Sequence, residues 1–314
     1  RIGKAPAVIG ILEGVVATIL VDFILIITGH DVTFSLCVGA IASATAAAST
    51  LMVVKQYKAD GPVTRTLLPV VAIDDAVALM AFGISVAVAK AISNQGGGSM
   101  VETILDPVIE IGGGLLFGAV MGVLLAFLVK WFTGRGNRLA ATIAMLFLCV
   151  GIGNMYGLSN LLACMMMSAI FANTSKNADK IFEPIDRITP PIYMIFFIIS
   201  GAALNIGIIP KVGLVGIIYI VFRVVGKFLG SYIGAVICKC DPKVKKWLGL
   251  TLVPQEGVAI GLATIAMGVV PEYGETIRTV VLCGIIVYEL LGPMITKFAL
   301  KAAGEIPKQE KGKV

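Results

Sequence analysis

Apolar residues are gathered into ten runs, at about 5–28, 32–54, 66–89, 104–129, 139–156, 158–173, 190–209, 212–237, 247–270 and 279–302, with the polar residues confined mostly to the intervals. A helix rises 1.5 Å per residue, so roughly 20 residues cross a hydrocarbon core of about 30 Å. Most of the runs are that long. The fifth and sixth are shorter and are separated only by Gly157 and its neighbours, which predicts a tight helical hairpin. A water-soluble core can absorb one or two such helices but not ten in succession. The pattern therefore predicts an all-α polytopic membrane protein with about ten transmembrane helices.

Composition supports this reading. Of 314 residues, 58% are hydrophobic and only 14% charged, against about a quarter charged in soluble domains. The net charge of +6 raises the question of a nucleic-acid partner, which the placement of the charges answers. Counting alternate loops, one side carries Arg1, Lys4, Lys55, Lys58, Arg65, Lys130, Arg135, Arg138, Lys176, Lys180, Arg187, Lys239, Lys243, Lys245, Lys246, Lys297, Lys301, Lys308, Lys311 and Lys313. The other side has only Lys90, Lys211 and Arg278. Basic loops face the cytoplasm, so both termini are expected there, in a prokaryotic inner (plasma) membrane. No loop is out of phase, and no nucleic acid is needed to explain the charge. The chain opens on Arg1 with no signal-peptide pattern, and its start is expected to be truncated or renumbered. The six cysteines fit neither a disulfide framework nor a metal-ligand spacing, and His30, the only histidine, sits in a short loop.

Two cations break the loop pattern. Arg223 and Lys227 lie inside the eighth run, where a cation at the helix centre costs at least about 2.5–3.5 kcal/mol. Acidic partners are available in other runs: Glu13 and Asp22 in the first, Asp74 and Asp75 in the third, Glu256 in the ninth and Glu289 in the tenth. Glu13 and Asp22 read as carboxylates near helix ends or in structural ion pairs. Asp74 and Asp75 stand near mid-membrane. Adjacent helical residues point about 100° apart, so one carboxylate can face a fixed cation, with Lys227 the natural candidate, while its neighbour faces a water-filled cavity. A carboxyl out of water beside a second anion keeps its proton to higher pH than the value near 3.9 of a free Asp. A metal cation and a proton then compete for one group. Arg223 and Glu289 are candidates for an ion pair with each other.

Two runs have unusual centres. The second holds Ala42-Ser43-Ala44-Thr45-Ala46-Ala47-Ala48-Ser49-Thr50, and the ninth Val253-Pro254-Gln255-Glu256-Gly257. Small residues can mean close helix packing, and a proline an ordinary kink. Their symmetry says more. Runs 1 to 3 and runs 8 to 10 are triplets with the odd segment in the middle, and they start from opposite sides of the membrane. Inverted repeats with broken helices around a midplane site are the pattern of secondary transporters. The expected organisation is a first three-helix repeat over 1–89 broken near 43–50, middle helices over 90–211 serving core and dimer side, an inverted repeat over 212–303 broken near 253–257, and a cytoplasmic tail over 304–314. Glu256 can compensate the positive end of a half-helix at the second break; the first break carries no comparable charge.

With these residues the sequence resembles the monovalent cation:proton antiporter superfamily, with the sodium/proton antiporter fold of the NhaA type, along nearly its whole length. The resemblance rests on Ala72-Ile73-Asp74-Asp75, on Gly157-Leu158-Ser159-Asn160-Leu161-Leu162, on Ile195-Phe196-Phe197 through Gly201-Ala202-Ala203-Leu204, on Arg223-Val224-Val225-Gly226-Lys227 and on Pro254-Gln255-Glu256-Gly257-Val258-Ala259. It implies an inverted-repeat fold with two crossing broken helices. Asp75 would be the ion and proton carrier, Asp74 the partner of Lys227 and a second group at the transported Na+, and Thr45 a further oxygen ligand. It implies electrogenic exchange of Na+ (or Li+) for H+ by an elevator-like movement in a homodimer, with no cofactor beyond the transported ions and no enzymatic activity. Two features depart from the family. Ala46 and Ala47 stand where many relatives have Asp or Pro, and ten helices are read where the family has twelve or thirteen, the remainder being N-terminal.

Other readings stay open. A K+/H+ antiporter and a Na+-coupled symporter of an organic anion share the fold class, and the Asp-Asp pair with an intramembrane Lys favours proton exchange over the symporter. A cation channel needs a filter of carbonyl or carboxylate rings, and no filter-like repeat is found. An intramembrane aspartyl protease needs its two carboxylates on different helices.

Overall fold

A computed structural model describes residues 3–92, 100–132, 134–176, 178–202 and 209–307. Twelve α-helices follow one another, with no strand among the described residues: α1 (Lys4–Ile27), α2 (Val32–Ala42), α3 (Ala47–Tyr57), α4 (Pro62–Ile92), α5 (Met100–Trp131), α6 (Arg135–Met155), α7 (Asn160–Thr174), α8 (Ala178–Ala202), α9 (Ile209–Ile237), α10 (Pro242–Trp247), α11 (Gly257–Val269) and α12 (Pro271–Ala302). A 3₁₀ segment, Leu248–Leu252, joins α10 to the second break. With α2/α3 and α10/α11 each counted as one interrupted element, the twelve reduce to the ten runs of the sequence. Seven spans among the described residues are long and apolar enough to cross a membrane, α2 and α3 together being one of them, or eight with the pair Pro242–Leu252 and Gly257–Val269, which bends by 50°. Helix α7 is too short at 15 residues.

The expected seventh run, 190–209, is placed differently. Helix α8 begins at Ala178, well before the apolar stretch, and runs through Pro184, Pro190 and Pro191. Charged residues extend it: Arg187 pairs with Glu183 one turn earlier at 2.7 Å, and Arg135 reaches the same carboxylate at 3.2 Å. A hydrophobic window cannot detect a helix that starts in charges. Ala203 and Leu204 of the resembling segment, and Arg1, Lys308, Lys311 and Lys313 of the basic set, lie outside the described residues.

The chain divides into two compact units, residues 1–93 with 204–314, and residues 94–203. In the second unit α5, α6 and α7 pack by small residues, as lipid-embedded helices do. A Cβ added at Gly118 would fall 2.2 Å from the Ala163 carbonyl oxygen, so glycine is what lets α5 reach α7. Gly157, at φ +63°, makes the turn between α6 and α7, and Asn160 donates across it to Asn154 Oδ1 at 2.5 Å.

The first unit brings both ends of the chain together. Helices α1 and α9 meet along a glycine seam. A Cβ at Gly226, Gly230 or Gly234 would come within 2.6, 2.5 or 2.9 Å of the Cα of Ala17, Glu13 or Ile9 respectively. One partner number rises as the other falls, so the two helices are antiparallel. Polar caps close several ends. Asp31 accepts from the amides of Thr33 and Phe34 at the start of α2, at 2.8 and 3.2 Å. Helix α4 opens on Pro62, and its first free amides, Val63 and Thr64, donate to Glu305 at 2.6 and 2.8 Å. The residue that caps the third span thus comes from beyond the last helix, and it is nearly fully buried.

Candidate functional site

The second span breaks where its sequence contains neither proline nor glycine. Helix α2 ends at Ala42, Ser43–Ala46 is non-helical in its latter part, and Ala46 takes an extended conformation (φ −81°, ψ 101°) before α3 begins. A helix end leaves four carbonyls or four amides without intrahelical partners, and in hydrocarbon each must be met from within the protein. The backbone of the other break and the side chains of α9 meet them. The Ala46 amide donates to the Pro254 carbonyl at 2.8 Å, joining the two breaks directly. Arg223, fully buried, donates to the carbonyls of Ala42 (3.0 Å), Ala44 (2.6 Å) and Val253 (2.7 Å), while its guanidinium lies 4.5 Å from the centre of the Tyr288 ring. The negative ends of both interrupted helices therefore share one cation.

The pairing of Arg223 with Glu289 that the sequence suggested is not formed. A rigid fork of five donors suits several carbonyls, and the two helix ends occupy it. Glu289 instead accepts from Ser49 Oγ at 3.1 and 3.2 Å, and Ser49 also lies 3.4 Å from Glu256. Glu256 is the backbone N-cap of α11 but makes no side-chain cap bond there. Its carboxylate faces the amides of Ala48 and Ser49 in the first turn of α3. The first break, which has no acid of its own, thus receives one from the second.

One turn further along α9 sits the second cation. Lys227 is fully buried and donates to the Ser43 carbonyl, to Thr45 Oγ1 at 2.7 Å, and to Asp74 Oδ1 and Oδ2 at 3.1 and 3.2 Å. The geometry thus places Lys227, Asp74 and Thr45 together, with the Thr45 oxygen turned to Lys227. Asp75, next on α4, is half-buried, and its Oδ1 is shielded from solvent without a hydrogen-bond partner. Two acids in one turn of α4 accordingly face different surroundings: one is bound to a fixed ammonium, the other has a free oxygen.

Glu13, read in the sequence only as an acid near a helix end or in a structural ion pair, also belongs to this cluster, as do Gln255 and Tyr219, to which the sequence assigned no role. Glu13 Oε2 lies 2.7 Å from Lys227 Nζ, both side chains being entirely buried. Gln255, also fully buried, accepts from the Tyr219 hydroxyl at 2.9 Å and donates to the Ile41 carbonyl at 2.9 Å, tying the second break to α2 and α9. The available signals were weak: an acid nine residues into the first helix, and an amide beside Pro254.

Family comparison bears on what such an arrangement does. The family model described as sodium/hydrogen exchanger, transmembrane, matches residues 4–302. The chain belongs to this family. It is an integral membrane protein, and the family's activity is exchange of a cation for protons. Among solved structures the exchanger chain is similar to the sodium proton antiporter MjNhaP1 from Methanocaldococcus jannaschii at pH 8, with a TM-score of 0.79 at 15% identity, covering 96% of this chain and 79% of that one. An electron-microscopy structure of the same antiporter gives 0.73 at 17% identity, covering 98% and 80%. These likenesses establish the antiporter fold, an inverted-repeat arrangement of helices around two crossing interrupted ones. A comparison with curated protein sequences gives no match.

Proposed function

We propose that this exchanger moves Na+, or Li+, against H+ by alternating access, with Asp75 as the group that holds cation and proton in turn. The observation that carries this reading is the unpartnered, solvent-shielded oxygen of Asp75 beside the Asp74–Lys227 pair. A buried polar atom without a partner is costly, and a dehydrated cation or a proton satisfies it equally well in kind, though never both at once. Asp74 supplies a second oxygen when the cation is present. Thr45 can add a third, since a hydroxyl oxygen has two lone pairs and Lys227 uses one. The two interrupted helices leave backbone dipoles at the same depth, which Arg223 and Glu256 offset.

The exchange is electrogenic in this reading, two protons passing for one cation, which requires a second protonatable group in the cluster besides Asp75. The protein works as a homodimer in a prokaryotic inner membrane, with both termini of this chain in the cytoplasm, as the alternation of basic loops supports. The test is proton flux in proteoliposomes under imposed gradients of Na+, Li+ and K+. Na+ and Li+ are expected to drive proton movement and K+ to fail. Flux with K+ alone would reassign the substrate, and no flux with any of the three would remove the proposal.

A further inference from the structure

The charges around Lys227 do not balance one to one, and that excess points to a role for Glu13. An ammonium has three N–H donors. Around Lys227 stand the Ser43 carbonyl, the Thr45 hydroxyl and the Asp74 carboxylate, all hydrogen-bonded. Glu13 is a fourth partner, at 2.7 Å, yet neither of its oxygens has a properly directed hydrogen bond. Glu13 is thus in ion-pair contact with an ammonium whose three donors are already directed at other oxygens. The charged groups that face it are Asp74 from α4 and Lys227 from α9. The α2 break, facing Lys227, contributes only a neutral carbonyl and a neutral hydroxyl.

The three groups sit on three helices held in different ways. Glu13 and Lys227 are fixed to each other by the backbone contact of Glu13 with Gly230, one turn from Lys227, where no side chain larger than hydrogen fits. Asp74 comes from α4. If Asp74 leaves the ammonium to help bind a cation, Lys227 is stranded in a dry interior, and an uncompensated buried charge is strongly unfavourable. A second carboxylate already in contact removes that obstacle.

We propose that Glu13 is the positioning residue of the exchange site: it takes over the Lys227 ammonium while Asp74 turns from the ammonium to the transported cation. This rests on the exchange reading above and adds a residue to it. Glu13 does not touch the cation. It acts through Lys227, by keeping Asp74 available.

Two measurements test it. In the flux assay Glu13→Gln leaves Asp74 as the sole counter-ion of Lys227, so the cation must compete with the ammonium. The apparent KM for Na+ is expected to rise about tenfold or more, equivalent to about 1.4 kcal/mol, with the maximal rate changed far less, and Glu13→Asp should restore most of the affinity. An unchanged KM in Glu13→Gln would overturn the proposal. The second measurement does not depend on transport. A thermal-unfolding cycle of Glu13→Gln, Asp74→Asn and the double variant should be strongly non-additive, because each single change leaves Lys227 one carboxylate and the double leaves none. Additive losses, or a Glu13→Gln loss as large as that of the double variant, would show that the two acids do not share the lysine. If the wild type moves no cation at all, the exchange reading fails, and the cycle still decides whether Glu13 can stand in for Asp74.

Discussion

A single arginine does the structural work at the meeting of the two breaks. Arg223 satisfies three carbonyls belonging to two separate interrupted helices, and no other described side chain bonds to both sets of exposed carbonyls. Replacing it with methionine keeps volume but strands those carbonyls, at about 1–3 kcal/mol for each unmade bond. The expectation is severe loss of folded protein in detergent, read as a fall in melting temperature. Arg223→Lys should rescue little, since a point charge cannot reproduce the fork; full rescue by lysine would mean that charge alone is required. Ser49 makes a weaker contribution. Ser49→Ala removes one hydroxyl between Glu256 and Glu289 and should cost about 1 kcal/mol by the same measure. The competition proposed at Asp75 has its own signature. As pH falls, protons occupy the carboxylate, so the apparent KM for Na+ should rise, by up to about tenfold per pH unit for one shared group, while the maximal rate holds. A KM independent of pH would separate the two ions' sites.

At the scale of the helices, the seam between α1 and α9 sets the site. Gly230→Ala puts a methyl 2.5 Å from the Glu13 Cα. Overpacking of that kind costs about 1–3 kcal/mol, and here it also pushes Glu13 from Lys227. The change should lower both thermal stability and transport, whereas alanine at Gly136, where a Cβ meets nothing within 4 Å, should alter neither. Glu305→Ala uncaps α4, with an expected loss of about 0.5–2 kcal/mol. What the sequence makes legible at this scale follows from which signals are local. Apolar runs are local, and each but the seventh, whose helix starts earlier among charges, coincides with a helix or an interrupted pair. Pro254 marks the second break because proline acts through its own ring and missing donor. The first break has no such residue: Ser43–Ala46 opens because Arg223, Lys227 and Pro254 claim its polar groups, and those contacts span some 180 to 210 positions. Only the small, hydroxylated composition and the symmetry of the triplets hinted at it. For the same reason the partners of the acids were hard to read. Asp74 beside Lys227 could be anticipated from two charges that need each other in hydrocarbon. Glu13 was legible only as an acid near a helix end or in an ion pair, and its partner was not, because an acid in the first half of a helix looks the same whether it reaches a loop or a lysine. The Arg223–Glu289 pairing failed because matching charges by sign ignores the carbonyls that a broken helix exposes.

For the whole molecule, fold and family are settled by the match over residues 4–302 and by the likeness to a known antiporter, and the proposals concern direction, charge and orientation. Moving one charge through 100 mV is worth about 2.3 kcal/mol, so electrogenic exchange must change rate with membrane potential; indifference to voltage would make it electroneutral. Cys238 and Cys240 flank Lys239 in the turn between α9 and α10 and are partly exposed. A membrane-impermeant thiol reagent should reach them from the cytoplasmic face only, and labelling from outside would invert the topology. The most direct test of the central claim is Na+-driven proton flux in proteoliposomes containing the wild type or Asp75→Asn. The wild type is predicted to acidify or alkalinise the lumen according to the direction of the Na+ gradient, and Asp75→Asn, similar in size but unable to carry a proton or a charge, to give no flux at any pH. Normal exchange by Asp75→Asn would contradict the account.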